Sequence, residues 1–422
     1  MRILFVNQHY WPDVASTGQH LTDLAEHLAA RGHEVHVLCA RGAYVGGGAG
    51  LERRDTRNGV TIHRAWTPGL GRRSNAGRIA EYAAFYGSVL WRLLLGRRYA
   101  VVVLLTTPPL LPVAGAVVWA VRRRRYGVWS MDLHPDAEFA LGMLRPTSLL
   151  GRALAGADAR AVRRADFVVD LGSRMRDRLL ARGVAPERLV TIPVWSRADE
   201  IEPVAPADNP LRSSLGLSDA FVVMYSGNAG LAHRFDEVLE AAELLRDEGV
   251  HFLFAGDGPR RREIEARVLA RDLRNVTYRG YFPREDLRHS LGIGDLHLLT
   301  LRAGMAGVAV PGKLYGIMAA GRPVAVVAPA HSEPAETVMA EGIGAVVDPA
   351  DGAGGERLAE VIRGYRDDPV LAAEHGRRAR EAFLARYEAS VACEAWTDLI
   401  ERAARRPVPV RPGGSFPKTA SP

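Results

Sequence analysis

A chain of 422 residues exceeds what one ordinary hydrophobic core serves and points to two or three domains. Apolar residues at 47% and charged residues at 24% give the balance of a packed globular protein and exclude a fibrous or disordered chain. The net charge of +7 is almost all arginine, since Lys313 and Lys418 are the only lysines; with no zinc-type Cys/His spacing, helix-turn-helix signature or aromatic RNA-binding strand, it points to phosphate or lipid headgroups and away from nucleic acid.

Cys39 and Cys393 are too few for a disulfide framework or a metal-ligand cluster, and no Asp-x-Asp pair is present, so no metal or other cofactor is expected. A reducing cytoplasm suits this composition. The apolar run at 3–6 gives way at once to Asn7-Gln8-His9, too short for a signal-peptide core, which argues against export.

In chain order, residues 3–6 read as a buried strand. Leu21, Leu24, Ala25 and Leu28 then recur at helical spacing, and Val35, Val37 and Cys39 alternate as a second strand. This is a βαβ unit of a parallel sheet, its helix capped by Ser16 or Thr17 and ended at Gly32. The glycine-rich 46–50 and the charged 52–55 read as a mobile surface loop before a strand at 60–64. A long amphipathic helix follows, with Ile79, Tyr82, Ala83, Tyr86, Leu90, Leu93 and Leu94 on its apolar stripe and Phe85, Val89 and Trp91 off it. Arg72, Arg73, Arg78, Arg92, Arg97 and Arg98 lie near it, so packing on a neighbouring helix competes with lying on an anionic membrane surface. Residues 100–120 approach membrane-spanning length, but Pro108, Pro109 and Pro112 divide them into a strand at 101–105, a loop and a helix ending in the arginine run 122–125. Strands at 128–131, 167–170 and 190–193 complete this half.

Periodicity lapses over 196–219, where Pro203, Pro206 and Pro210 mark a linker. The βα rhythm then resumes, with strands at 221–225, 252–255, 276–278, 296–299 and 324–327 and a helix at 313–320 among those between them. The fold class is therefore α/β, with two nucleotide-binding-type sheets. The expected division is a first domain at 1–195, the linker 196–219, a second domain at 220–384, a helix at 385–404 that crosses back to the first domain, and a Pro/Gly-rich disordered tail at 405–422.

Ligands of open parallel sheets bind beyond the C-terminal strand ends, so the loops after the strands carry the candidates. Gly227-Asn228 leads to His233-Arg234: small residues that let amides approach an anion, then positive charge; a plain turn is the competing reading. Gly256 and Gly258 leave another strand, where a tight turn before Pro259 explains each taken singly. Pro311-Gly312-Lys313-Leu314 runs into a helix that carries Gly316. A lysine in a first turn opposes the helix dipole, so in a chain that otherwise uses arginine Lys313 suits an anionic ligand better than helix stability. In the first half, Asp132 and His134 follow a strand, where they suit acid–base work, orientation of an acceptor hydroxyl, or a turn capped around Pro135.

Taken together, Pro12-Asp13 with Thr17-Gly18, Arg31-Gly32-His33-Glu34-Val35, Asp132-Leu133-His134-Pro135, Ile192-Pro193-Val194-Trp195, Tyr225-Ser226-Gly227-Asn228, Gly256-Asp257-Gly258-Pro259, and Lys313-Leu314-Tyr315 with Met318-Ala319-Ala320-Gly321-Arg322-Pro323-Val324 resemble the family-4 retaining glycosyltransferases of the GT-B fold. The resemblance covers about residues 1–403 and is nearest the branch that builds O-antigen, colanic acid and other surface polysaccharides. It implies two Rossmann-like domains facing a central cleft, with a nucleoside-diphosphate sugar held by the second and a lipid-linked or glycan acceptor by the first. Lys313, His233, Arg234 and Asp132 would carry the chemistry. Gly18, Asn228, Gly256, Gly258, Tyr281, Pro311, Gly312, Leu314 and Gly316 would line the donor, and Thr17 and His134 the acceptor. No metal is needed, because basic groups and helix amides would stabilise the leaving diphosphate.

The chain departs from the family pattern at four places. Asn228 stands where arginine is usual and His233 or Arg234 where lysine is usual. Val308 and Gly316 replace the paired glutamates, and Met131 replaces a histidine. A GT-B-fold epimerase of UDP-GlcNAc and a non-catalytic membrane-associated scaffold are the alternative readings.

Overall fold

The computed structural model describes residues 1–41, 51–68 and 75–405. The glycine run 46–50, Arg72, Arg73 and the tail from 406 onward lie outside the described residues. Short aliphatic runs bounded by polar turns form buried parallel strands, as sheets covered on both faces require. In the first half these are β1 (Arg2–Val6), β2 (Glu34–Ala40), β3 (Arg54–Arg57), β4 (Val60–Ala65), β5 (Val101–Leu104), β6 (Gly127–Trp129), β7 (Val168–Asp170) and β8 (Leu189–Thr191), in the order β3-β4-β2-β1-β5-β6-β7-β8. All pair in parallel except β3, which runs antiparallel to β4. The expected mobile loop is corrected over its described end. Asn58 and Gly59 have φ of 45° and 80°, the left-handed pair of a two-residue hairpin turn, and they fold residues 54–57 back on 60–65.

The second sheet comprises β9 (Phe221–Ser226), β10 (Val250–Ala255), β11 (Val276–Arg279), β12 (Leu296–Thr300), β13 (Val324–Val327) and β14 (Gly344–Val347), all parallel, in the order β11-β10-β9-β12-β13-β14. Both domains are thus Rossmann-like, as expected. Strand order reverses between β1 and β5 in one sheet and between β9 and β12 in the other. These are the switch points at which open α/β sheets take ligands.

The linker expected at 196–219 is not free along its length. Residues 210–214 form a short helix whose Arg212 side chain is buried. Its guanidinium donates to both carboxylate oxygens of Asp295 at 2.8 and 2.9 Å and to the Ile293 and Leu217 carbonyls at 3.0 and 3.1 Å. From Asn209 onward the segment therefore belongs to the second domain.

The last helix, Ala389–Arg405, lies on the first domain, where the Trp396 ring is 4.6 Å from that of Trp129 and Trp129 in turn stacks on Trp195 at 5.7 Å. The two chain crossings run side by side: Ser196 donates its N–H to the Tyr387 carbonyl at 3.2 Å and accepts from the Ala389 N–H at 2.9 Å. Tyr387 also packs on Tyr315, with ring centroids 4.9 Å apart.

The amphipathic helix Asn75–Leu95 corrects the expected stripe. Phe85, Val89 and Leu93 are its buried apolar side chains, while Ile79, Trp91 and Leu95 are exposed. Stripe membership alone does not say which edge of an apolar face meets the core. Residues 101–104 and 112–122 form the strand and helix expected there, and among the described residues no helix is long and apolar enough to cross a membrane.

Candidate active site between the two domains

The loops after β9 and β10 pack backbone to backbone. Gly256 has φ of 147°, and a Cβ there would lie 2.1 Å from the Gly227 carbonyl oxygen; a Cβ on Gly258, at φ of 149°, would lie 2.6 Å from the Ala229 carbonyl oxygen. Ala229 donates its N–H to the Asp257 carbonyl at 2.8 Å. The absence of a side chain at Gly256 and Gly258 thus serves the packing of loop against loop, in line with the turn role read for each from the sequence. Asn228 is exposed beside them, and its carbonyl accepts a hydrogen bond from the Tyr225 hydroxyl at 2.9 Å.

Lys313 enters this corner from the start of the helix Lys313–Ala319. Its Nζ donates to the Tyr225 hydroxyl at 2.6 Å and lies 3.9 Å from the centre of that ring. Among the described residues no carboxylate pairs with it, and burial pulls its pKa down to about 7. A lysine desolvated without a counter-ion favours any ligand that brings negative charge. The Leu314 and Tyr315 amides are bonded to the Pro311 and Gly312 carbonyls, so the backbone N–H groups open to a ligand here are those of Gly312 and Lys313. Leu314 itself is a core side chain, which corrects its expected contact with donor. Gly316 faces the interdomain crossing; a Cβ there would lie 3.6 to 3.9 Å from Leu291, Ser196 and Ile201.

Two expected cations are not available as charges. His233 holds its Nδ1 2.5 Å from the Thr300 carbonyl, and burial, with Lys313 nearby, lowers its pKa to about 3, so the ring is neutral at physiological pH. Arg234 is forked onto Glu237, with Nε donating to Oε2 at 2.8 Å, and Glu237 is itself buried. Of the three basic groups named from the sequence, Lys313 alone can take up a proton for a ligand without already serving a carboxylate among the described residues. Tyr281 stands exposed beyond β11.

Across the cleft, Asp132 takes its place at the seam. Its N–H donates to Thr106 Oγ1 at 3.1 Å, it pairs as a β-bridge with Ala309, and the Leu133 N–H reaches the Val308 carbonyl at 2.8 Å. Burial raises the Asp132 pKa and the neighbouring His134 opposes that shift. His134 Nδ1 lies 2.9 Å from Glu138. Burial works to lower the His134 pKa, but Glu138 and Asp132 outweigh it and the net shift is upward. Thr17 accepts from Asn7 Nδ2 at 3.3 Å, and Gly18 packs on the backbone of His9 and Tyr10, where a Cβ would lie 3.2 Å from the His9 carbonyl carbon. A second seam lies at Glu333, whose Oε1 accepts from the Met175 N–H at 2.7 Å and so caps a first-domain helix from the second domain.

Residues 17–195 match the glycosyl transferase 4-like domain and residues 220–365 match the glycosyl transferases group 1 family. WcaI of Escherichia coli (strain K12), which carries the name of a colanic acid biosynthesis glycosyl transferase, is 28% identical over 399 residues, covering 90% of this chain and 95% of that protein. Among solved structures, sucrose-phosphate synthase from Thermosynechococcus elongatus superposes with a TM-score of 0.72 at 21% identity, over 95% of this chain and 98% of that one. Anabaena HepE in complex with UDP-glucose gives 0.70 at 18% identity, over 95% and 100%. The chain belongs to the GT-B glycosyltransferases, with a glycosyl transferase 4-like domain followed by a group 1 domain.

Proposed function

We propose that the protein transfers a sugar from a nucleoside diphosphate to a lipid-linked or glycan acceptor in surface polysaccharide synthesis, with retention at the anomeric carbon. The observation that carries this reading is Lys313, a half-buried lysine with no carboxylate partner among the described residues, beside two open amides at a switch-point loop. The name of WcaI and the UDP-glucose complex of HepE support the acceptor setting and the donor class. In the reaction the bond from the anomeric carbon to the diphosphate oxygen breaks, the acceptor oxygen bonds to that carbon, and the acceptor proton passes to the departing diphosphate on the same face. Lys313 and the Gly312 and Lys313 amides stabilise the charge that develops on the leaving oxygen. Asp132 and His134 orient the acceptor hydroxyl. These residues supply the electrostatics without calling on a metal.

A panel of sugar nucleotides, each offered with and without a lipid extract carrying glycan acceptors, tests this. Nucleoside diphosphate release that requires the acceptor is the expected result. Epimer formation without acceptor, or no turnover with any donor, would reject it.

The same reading places the enzyme at an anionic inner membrane face. Trp91 and Leu95, four apart on one face of the helix Asn75–Leu95, are turned to solvent, Trp91 being 71% exposed. Between that helix and β4 lies an open groove of about 500 Å³ lined by Trp66, Trp91, Arg53 and Arg92 among others, with no acidic residue. Exposed indoles flanked by arginines suit an anionic lipid interface. Trp91→Ser with Leu95→Ser should weaken sedimentation with anionic liposomes several-fold and leave the fold intact, whereas Phe85→Ser, a core change, should unfold the domain; undiminished liposome binding by the double variant would refute the contact.

A further inference from the structure

The first domain places a histidine against the proposed donor loop. His20 lies one turn into the helix Ser16–Ala30, on the same face as Ser16. A methyl carbon in place of a Gly312 hydrogen would stand 3.8 Å from His20 Nε2 and 3.9 Å from Ser16 Oγ, so both side chains look across the cleft at the loop that carries Lys313. His20 is only 8% exposed, yet its ring makes no hydrogen bond among the described residues. Its one aromatic contact is edge-on to Trp195, with ring centroids 5.0 Å apart. Burial lowers its pKa to about 4, so at neutral pH it is an uncharged ring with one N–H to give. A ring N–H that has no acceptor within the protein and faces an anion-binding loop gains one when the anion arrives. The helix that carries it has no side-chain cap at its N-terminus, and with the Gly18 and Gln19 amides bonded to the Ala15 carbonyl, those of Ser16 and Thr17 are left open there.

We propose that His20 is a donor-binding residue whose Nε2–H reaches the distal phosphate of the nucleoside diphosphate, completing from the first domain a cradle begun by Lys313 and the Gly312 amide in the second. The proposal rests on the donor reading given above. It assigns specificity for a diphosphate over a monophosphate to a contact that exists only while the two domains are together, because each domain supplies one side of it.

Affinities of the full-length protein for UDP, GDP, ADP and dTDP, and for the matching monophosphates, provide the test. His20→Ala and His20→Phe should weaken the diphosphate that binds wild type by tenfold to a hundredfold, the range of a hydrogen bond to a charged group. The monophosphate should bind as before. His20→Phe keeps an aromatic ring against Trp195, so a loss it shares with His20→Ala is a loss of the N–H and not of packing. His20→Gln, which keeps a donor, should recover most of the affinity. Unchanged diphosphate affinity in the Ala and Phe variants, or an equal loss for the monophosphate, would overturn the proposal. Lys313→Ala separates the two claims: if it weakens diphosphate binding while the His20 variants do not, the donor site stands and His20 is outside it. If wild type binds none of the four diphosphates, the donor reading itself falls, and His20 with it.

Discussion

Exchange of Lys313 for methionine should lower kcat/KM about a hundredfold to a thousandfold, the usual loss when one preorganised donor to a developing oxyanion is removed. The same change should raise the melting temperature of the ligand-free protein at pH 7. The folded-state pKa of about 7 lies below the value of about 10.4 for a solvated lysine. Between those limits the unfolded chain holds the proton more firmly, so this group's contribution to stability rises as pH rises through the window, and below pH 7 its full cost is present. Methionine removes that slope. A bound diphosphate favours the ammonium, so wild type should take up close to one proton on binding near pH 8, visible as a buffer-dependent binding enthalpy by calorimetry. The methionine variant should take up none. Equal proton uptake by both proteins would show that the diphosphate does not meet Lys313.

The second large effect is one of stability. Arg212→Met should destabilise the second domain by about 3–5 kcal/mol, because it leaves Asp295 without the guanidinium that both its oxygens use. Asp295 Oδ2 also accepts from the Val222 N–H at 2.7 Å, at the start of β9, so the orphaned charge sits against the central strand of the sheet. Adding Asp295→Leu should restore much of the loss, since a buried pair replaced as a whole costs far less than one broken. Urea midpoints of the three proteins decide this. A single variant as stable as wild type would mean that the short helix at 210–214 is not part of the domain's fold.

The strands were legible because each is an aliphatic run followed by glycine or a polar turn, and twelve of those in the structure stand within a residue or two of their sequence expectation. β3 was missed although Asn58-Gly59 announces a hairpin, because its residues are charged and alternate too briefly to read as a buried strand. β14 was missed for a different reason: it is four small residues long and abuts a helix with a glycine end.

Lys313 could be picked out because lysine is so scarce in this chain. The misplaced charges at Arg234 and His233 have separate causes. Arg234 and Glu237 are three apart at a helix start, spacing that signals a pair, so this one was readable. The neutrality of His233 comes from its burial and from Lys313, 80 positions away, which outweigh the Thr300 carbonyl, and nothing local encodes it. His20 belongs with the second kind. In sequence it is one polar residue in an amphipathic helix, and only the approach of Gly312 from the other domain gives it a direction.

The side-by-side crossings at Ser196 and Ala389 bear on how this enzyme could be rebuilt. Each crossing supplies hydrogen bonds to the other, and Tyr387 binds that junction to the helix that begins at Lys313. A chimera that imports a foreign second domain through a single splice near residue 196 would join one parent's outgoing strand to the other parent's returning one and mismatch the ladder between them. The exchangeable module is the whole stretch from 196 to 388, cut at both crossings, with Trp195 and Trp396 retained by the first domain they pack on. A foreign second domain is therefore more readily introduced by a two-cut graft than by swapping the C-terminal half.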